Sequence, residues 1–222
     1  MVIKMKIYHG SKNIIKKPIF GYGNQNNDYG LGFYCTENFE LAGEWASVYE
    51  NKNGYVNQYE LDITKYKLLD LCDEKYSILN WLAILLKHRS FVINNPIAKL
   101  AKEFLINNYY INVDSYDIII GYRADDSYFS FAKDFINNTI SLKQLTYAFS
   151  LGDLGKQIVL KSENVINNIE YLAYEEIDSK IYYIKRKERD INARIKYREK
   201  CKNIFYENDI YIIDLIRGEK ND

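Results

Sequence analysis

Proline and methionine are nearly missing from this sequence, with two of each in 222 residues. Histidine is as scarce, at His9 and His88, and the three cysteines, Cys35, Cys72 and Cys201, lie far apart. An odd, unpatterned cysteine count argues against a disulfide framework and against a zinc cluster. It is the usage expected of reduced thiols in a cytoplasmic protein. No run of about 18 apolar residues occurs, which leaves no candidate membrane helix. MVIKMKIYHG lacks the continuous apolar core of a secretory signal. Net charge is also missing: 30 basic residues balance 30 acidic ones, so the chain as a whole is no polyanion binder. The phosphate-loop pattern GxxxxGK[ST], a GxGxxG opening a helix and the metalloprotease HExxH are all absent. A nucleophilic triad would need His9 or His88, and neither has a Ser or Cys partner marked in the sequence.

What is present suits one domain, or one domain with an appendage. Hydrophobic residues make up 47% of the chain, enough for a sizeable core. Short strands are expected at residues 3–8, at LGFYCT from Leu31, at YVNQYELDI from Tyr55, at KLLDL, at YDIIIGY and at KQIVLKS. Helices are expected at ENFELAGEWASVYE with Thr36 as cap, at EKYSILNWLAILLKHR, and at IAKLAKEFLINNYY after Pro96. Further helices are expected at ADDSYFSFAKDFIN and at SLKQLTYAFSL with Ser141 as cap, with IYIIDLIRG a strand or short helix. This irregular alternation points to an α+β fold rather than a doubly wound parallel sheet.

Lys180 to Lys202 concentrates ten basic residues against three acidic ones. Residues 178–205 read as one long helix, with Ile184, Ile191, Ile195 and Phe205 forming a narrow docking seam. Its cations are either a solvated face or a contact for nucleic acid or an acidic partner.

His88 closes a helix, where a cation complements the macrodipole. His9 differs, because it stands at the end of a strand, just before Gly10 and Ser11. A glycine there allows close approach of a ligand to the backbone. The downstream strand carries Phe33 and Tyr34 on opposite faces. These residues read either as a satisfied histidine and an ordinary core strand, or as a ligand site.

Four ordered blocks resemble the ADP-ribosyltransferase superfamily. They are HGS at His9–Ser11, DYGLGFYCT at Asp28–Thr36, ADD at Ala124–Asp126 after DIIIGYR, and Gln157 opening KQIVLKS. The chain is similar to the branch with a His–Tyr–Glu triad, and within it to an uncharacterised bacterial, toxin-like family often found beside small antitoxin-like genes. The resemblance spans about residues 5–172.

It implies an ADP-ribosyltransferase fold over residues 1–175: split, small antiparallel sheets with flanking helices and NAD in the cleft between them. A basic helical extension, 176–222, would pack on that domain. The implied activity is transfer of ADP-ribose from NAD to a macromolecule, protein or nucleic acid, with no metal and no membrane. An antitoxin protein is an implied partner. His9 would orient NAD through a ribose hydroxyl, Gly10 would pair with the carboxamide, and Tyr34 would stack on nicotinamide. Ser11, Phe33 and Thr36 complete the implied cofactor contacts. Gln157 stands where the family has its glutamate, and a neutral amide offers no full charge to an oxocarbenium-like transition state. Asp125, Asp126 and Glu163 are the acids available to help, with the two aspartates equally suited to a helix N-terminus. Arg123 stands where a small or apolar residue is expected before ADD.

Overall fold

The computed structural model describes residues 3–124, 126–150, 156–199, 204–205 and 207–218. In chain order its elements begin β1 (Lys4–Ser11), β2 (Phe33–Cys35), α1 (Phe39–Ala46), β3 (Gly54–Asp62) and β4 (Leu68–Asp70). There follow α2 (Ile78–His88), α3 (Pro96–Tyr109), β5 (Ile118–Tyr122), α4 (Asp126–Ile136) and α5 (Leu142–Ser150). The last are β6 (Lys156–Leu160), α6 (Glu163–Asn168), β7 (Glu170–Ile177), α7 (Ser179–Tyr197) and α8 (Ile212–Arg217). The fold is α+β.

Two compact units share the chain. The first comprises Met1–Lys75, Asn112–Arg123 and Leu154–Glu188, and holds every strand found among the described residues. Its three-stranded antiparallel sheet has the order β1-β3-β7, and its four-stranded sheet the order β2-β6-β5-β4. The sequence suggested purely antiparallel sheets, but β4 runs parallel to β5. The chain between β4 and β5 carries two helices, enough to bring it back in the same direction, as parallel neighbours require.

One backbone bridge joins the two sheets among the described residues. Tyr8 and Thr36 exchange N–H···O bonds of 2.8 and 2.9 Å. Behind it the sheets pack their apolar faces together. Ile7, Tyr59 and Leu61 meet Cys35, Ile118, Ile120, Ile158 and Leu160, with Val165 and Ile166 of α6 closing the cluster. Burying each such side chain contributes about 1.5–3 kcal/mol. The other face of the three-stranded sheet carries α1, where Ala42 meets Val56 and Ile177.

Helix α1 is capped by Asn38, whose side chain accepts from the Leu41 amide at 3.2 Å. The sequence assigned that role to Thr36, but Thr36 is committed to the bridge and starts the helix only indirectly, its hydroxyl accepting from the Asn38 amide.

The second unit comprises Tyr76–Ile111, Ala124–Asp153 and Arg189–Asp222, and is helical. Within it α2 packs on α3, α3 on α4 and α8, and α4 on α5. Seven of the eleven residues of α2 are buried, so that helix forms the middle of its unit. Ser141 caps α5 as expected, in a box completed by Gln144.

The basic helix departs from expectation. It is shorter than 178–205, with Ile204 and Phe205 outside any helix. Its expected apolar seam is exposed: Ile184, Ile191 and Ile195 keep about half their surface and Phe205 keeps 75%. The buried side is aromatic and small instead. Tyr182 lies against Gly43 of α1, while Ala193 and Tyr197 are buried in the second unit, where Tyr197 stacks on Phe131. The expected boundary at 175/176 falls inside β7, which the sequence did not reveal as a strand.

Candidate functional site

Strand β1 continues through His9 to Ser11, so His9 sits within the strand rather than after it. Tyr8 spends both backbone groups on Thr36. In an antiparallel ladder these groups alternate between the two sides of a strand. His9 therefore faces its ladder partner Asn57, and Gly10 turns its N–H and C=O toward the side where β2 leaves β1.

The His9 side chain is held twice. Its Nδ1 lies 2.7 Å from the Tyr34 carbonyl oxygen, and its ring stacks on Phe33, with centroids 4.3 Å apart and planes 27° apart. A carbonyl oxygen only accepts, so Nδ1 carries the proton and Nε2 of the neutral ring is an acceptor. Burial pushes the imidazole pKa below its ordinary value, and the bond to Tyr34 offsets part of that.

Below the ordinary pKa of about 6.5 the unfolded chain binds a proton that the folded chain resists. The stability associated with His9 is present above that pH and is lost as pH falls. Thermal melts of wild type from pH 7.5 to 5 should decline more steeply than those of His9→Gln. Parallel profiles would mean that the imidazole is not held neutral.

Next to this histidine lies a cavity of 330 Å³, lined by His9, Phe33 and Tyr34 together with loop residues that include Asn13, Lys17, Tyr22 and Asn27. The loop walls are fixed from beneath. The buried Asn57 side chain accepts from the Ile15 amide at 2.7 Å and donates to the carbonyls of His9 and Asn13. The Tyr59 hydroxyl donates to the Ile15 carbonyl. On the other wall Tyr34 donates its hydroxyl to the Gly30 carbonyl at 2.6 Å and accepts from the Tyr29 amide. Tyr29 is fully buried and donates to the Tyr122 carbonyl at 2.7 Å. Lys161, its side chain 3% exposed, bonds the Tyr29 carbonyl at 2.8 Å and pairs with Asp114 at 2.9 Å. Gly32 packs so closely that a Cβ there would meet Val159 at 2.5 Å.

Gln157 lies outside the lining of that cavity. Pairing of Tyr34 with Val159 places Tyr34, Val159 and Gln157 on one face of the four-stranded sheet, and Phe33 on the opposite, core-facing side. Gln157 is 7% exposed, and its Oε1 has no hydrogen-bond partner among the described residues. Beside it, a second cleft of 470 Å³ is lined by Thr36, Glu37, Asn38, Phe39 and Lys156. Arg123, one step past β5, places its guanidinium 4.8 Å from the ring centre of Trp45 on α1.

The remaining expected residues divide. Ser11 turns its hydroxyl to the Asn13 amide and so starts the loop. Gly10 is in contact with α1, where a Cβ would fall 1.9 Å from the Ala42 carbonyl oxygen. Glu163 is exposed in the first turn of α6, as a helix N-terminal acid. Asp125 lies outside the described residues, as does the side chain of Asp126, which opens α4. His88 ends α2 as expected.

Asn57 and Lys161 were not anticipated. Asn57 left a signal, being a polar side chain inside the alternating run YVNQYELDI. Lys161, at the end of an apolar strand, left none. No group of three or more His, Cys, Asp or Glu among the described residues is arranged to hold a metal ion, and no helix among them is long and apolar enough to cross a membrane. Neither a curated protein nor a solved structure matches this chain. Residues 5–171 do match a family model, the protein of unknown function DUF3990, and that span takes in the site from His9 to Gln157, so the chain belongs to the DUF3990 family.

Proposed function

We propose that the chain is an ADP-ribosyltransferase that moves ADP-ribose from NAD to a macromolecule, as a toxin-like effector with an antitoxin partner. The observation that carries this reading is the His9–Phe33–Tyr34 group. A neutral imidazole, its Nδ1 committed to Tyr34 and its ring stacked on Phe33, presents a fixed acceptor beside a cavity. Such an acceptor suits a ribose hydroxyl.

Three further observations support it. The two small sheets, joined by a single bridge among the described residues, suit the split-sheet ADP-ribosyltransferase fold. The Gly10 N–H and C=O are turned off their ladder and suit a carboxamide, which has one donor and one acceptor to match. The buried Gln157 Oε1, unpartnered among the described residues, suits a ribose hydroxyl as donor, because a buried acceptor left unsatisfied costs about 1–3 kcal/mol. Cleavage of the nicotinamide–ribose bond would then proceed with Tyr34 facing the cationic ring, worth about 0.5–2 kcal/mol, and Gln157 on the ribose.

The neutral Gln157 favours a second reading, in which turnover is slow and water or nothing at all is the acceptor. Labelled NAD with candidate acceptors separates these. Wild type should label a macromolecule, and His9→Ala and Tyr34→Ala should each reduce labelling about tenfold or more. Tyr34→Phe keeps the ring and loses its hydroxyl bonds, so its activity isolates the stacking role. Nicotinamide release without a labelled macromolecule would indicate hydrolysis. Labelling undiminished in both alanine variants would remove these roles.

A further inference from the structure

The loop that walls the cavity has a chemistry of its own. Lys12 to Asn27 contains Lys12, Lys16 and Lys17 and no acidic residue; the first acid in the sequence is Asp28. All three lysines are exposed, and Lys17 reaches the cavity lining. The same loop holds large apolar side chains out in solvent: Ile19 is 71% exposed, Phe20 40% and Tyr22 87%. Tyr29, a few residues on, is fully buried, so the outward rings are not forced by a crowded core. Lys12 brings a further ring into the patch, its Nζ 4.6 Å from the centre of Tyr49, which is 56% exposed.

The base of this patch is fixed. Asn57 and Tyr59 hold Ile15 from below. Gly23 sits against Gly32, where a Cβ would fall 2.8 Å from the Gly32 carbonyl oxygen. The run Asn24–Asn27 adds four amide side chains, each both donor and acceptor. Flat rings, unopposed cations and amides on a fixed base match the components that hold single-stranded nucleic acid. Phosphates are attracted by lysines, bases stack on aromatic faces, and base edges pair with amides. A membrane surface would need a more continuous apolar face than one broken by Gly21, Gly23 and four amides.

We propose that this loop is a docking platform for single-stranded nucleic acid, with Lys12, Lys16 and Lys17 on phosphates and Phe20 and Tyr22 under bases. Its position on the cavity wall makes the bound strand the acceptor. That role rests on the NAD reading, whereas the binding does not.

Composition alone favours the basic helix α7 as the polyanion site. There, however, Lys185 is paired with Glu40 at 2.6 Å and Arg194 with Asp190 at 2.9 Å.

The test is fluorescence anisotropy of the full chain with labelled single-stranded DNA and RNA of about 12 nucleotides, without NAD, across about 50–200 mM salt. Affinity should fall with salt. The triple change Lys12→Ala, Lys16→Ala, Lys17→Ala should reduce the slope of log K against log salt by about two. The pair Phe20→Ala, Tyr22→Ala should weaken binding about tenfold or more with the slope unchanged. Lys180→Ala with Lys187→Ala on α7 should leave both unaltered. Because the altered side chains are exposed, all variants should keep the wild-type melting temperature. Absence of salt-sensitive binding, loop variants that bind like wild type, or equal binding of a polyglutamate peptide would overturn the platform. Oligonucleotide binding with no transfer from NAD to any acceptor would leave the platform standing and remove the transferase reading; labelling of a protein acceptor without oligonucleotide binding would do the reverse.

Discussion

Gly10→Ala should lower the melting temperature by about 10 °C or more, read by calorimetry or by circular dichroism. The added Cβ would sit 1.9 Å from the Ala42 carbonyl oxygen, 2.8 Å from the Ala46 nitrogen and 2.9 Å from the Ala42 carbonyl carbon. All three are backbone atoms of α1 or its end, so no rotamer change relieves the contact. The helix has little room to step aside. Its last turn also rests on Gly54, where a Cβ would lie 2.4 Å from the Ala46 carbonyl oxygen. On its outer side Gly43 meets the Tyr182 ring, where a Cβ would lie 2.4 Å from the nearest ring carbon. Tyr182 is itself tied to Glu40 by a 3.0 Å hydrogen bond, and its pKa is pushed up to about 12, by burial first and the Glu40 carboxylate second.

Overpacking typically costs about 1–3 kcal/mol and occasionally more, and a clash with backbone atoms that cannot turn away puts this variant at the top of that range or above it. In a chain of this size each kcal/mol moves the midpoint by about 2–4 °C. Gly21→Ala is the control. Gly21 has φ of +84° and nothing within 4 Å of its would-be Cβ, so it should lose only the left-handed preference, about 1–2 kcal/mol. Equal shifts for the two variants would show that α1 is not seated on Gly10. Glycine at position 10 is thus required by helix packing whether or not a ligand binds. What favours a ligand there is the direction of its backbone groups, fixed by the Tyr8–Thr36 bridge.

Much of the architecture is legible in the sequence because local chemistry and tertiary structure agree. Pro96 starts α3 at its first position, Ser141 and Gln144 box α5, and the apolar run at 118–122 becomes the buried β5. The failures have physical causes. The sequence EYLAYEEI shows no clean alternation, because β7 is a sheet edge exposed over most of its length and its pairing slips by a bulge opposite Gln58/Tyr59. The isoleucines of α7 have helical spacing, yet the helix docks through Tyr182, Ala193 and Tyr197. Spacing identifies a stripe but not which stripe meets a neighbour. His9, Phe33 and Tyr34 were legible as a group because strand alternation and two aromatics mark them. Asn57 stands out in the sequence as a polar residue inside an alternating strand, but the loop it braces over their cavity is set by the tertiary structure. The placement of Gln157 on the sheet face of Tyr34, rather than in the lining of the His9 cavity, follows from β2–β6 register, which no local pattern encodes.

Gln157→Glu should raise the rate of nicotinamide release from NAD by about a hundredfold or more while making the unliganded protein less stable. Both effects follow from the same burial. The Gln157 Oε1 is a shielded acceptor without a partner among the described residues, and on the proposed reading a ribose hydroxyl completes it. An amide oxygen accepts that bond but carries no net charge as the ribose becomes cationic. A carboxylate at the same place adds a charge-assisted contact that exists only in the transition state, and single contacts of that type are worth about 10²–10³ in rate. Without ligand the carboxyl is desolvated, so its pKa should rise above the ordinary glutamate value of about 4.3. The folded variant would then hold a proton that the unfolded chain releases, and its stability relative to wild type should fall as pH rises through that interval. A melt series from pH 4 to 8 with and without NAD, alongside nicotinamide release, reads both effects. Loss of stability with no gain in rate would place Gln157 away from the scissile bond and leave it a buried strand residue. A gain in rate that disappears in Gln157→Glu combined with Tyr34→Ala would tie the two side chains to one bound nucleotide across the face they share.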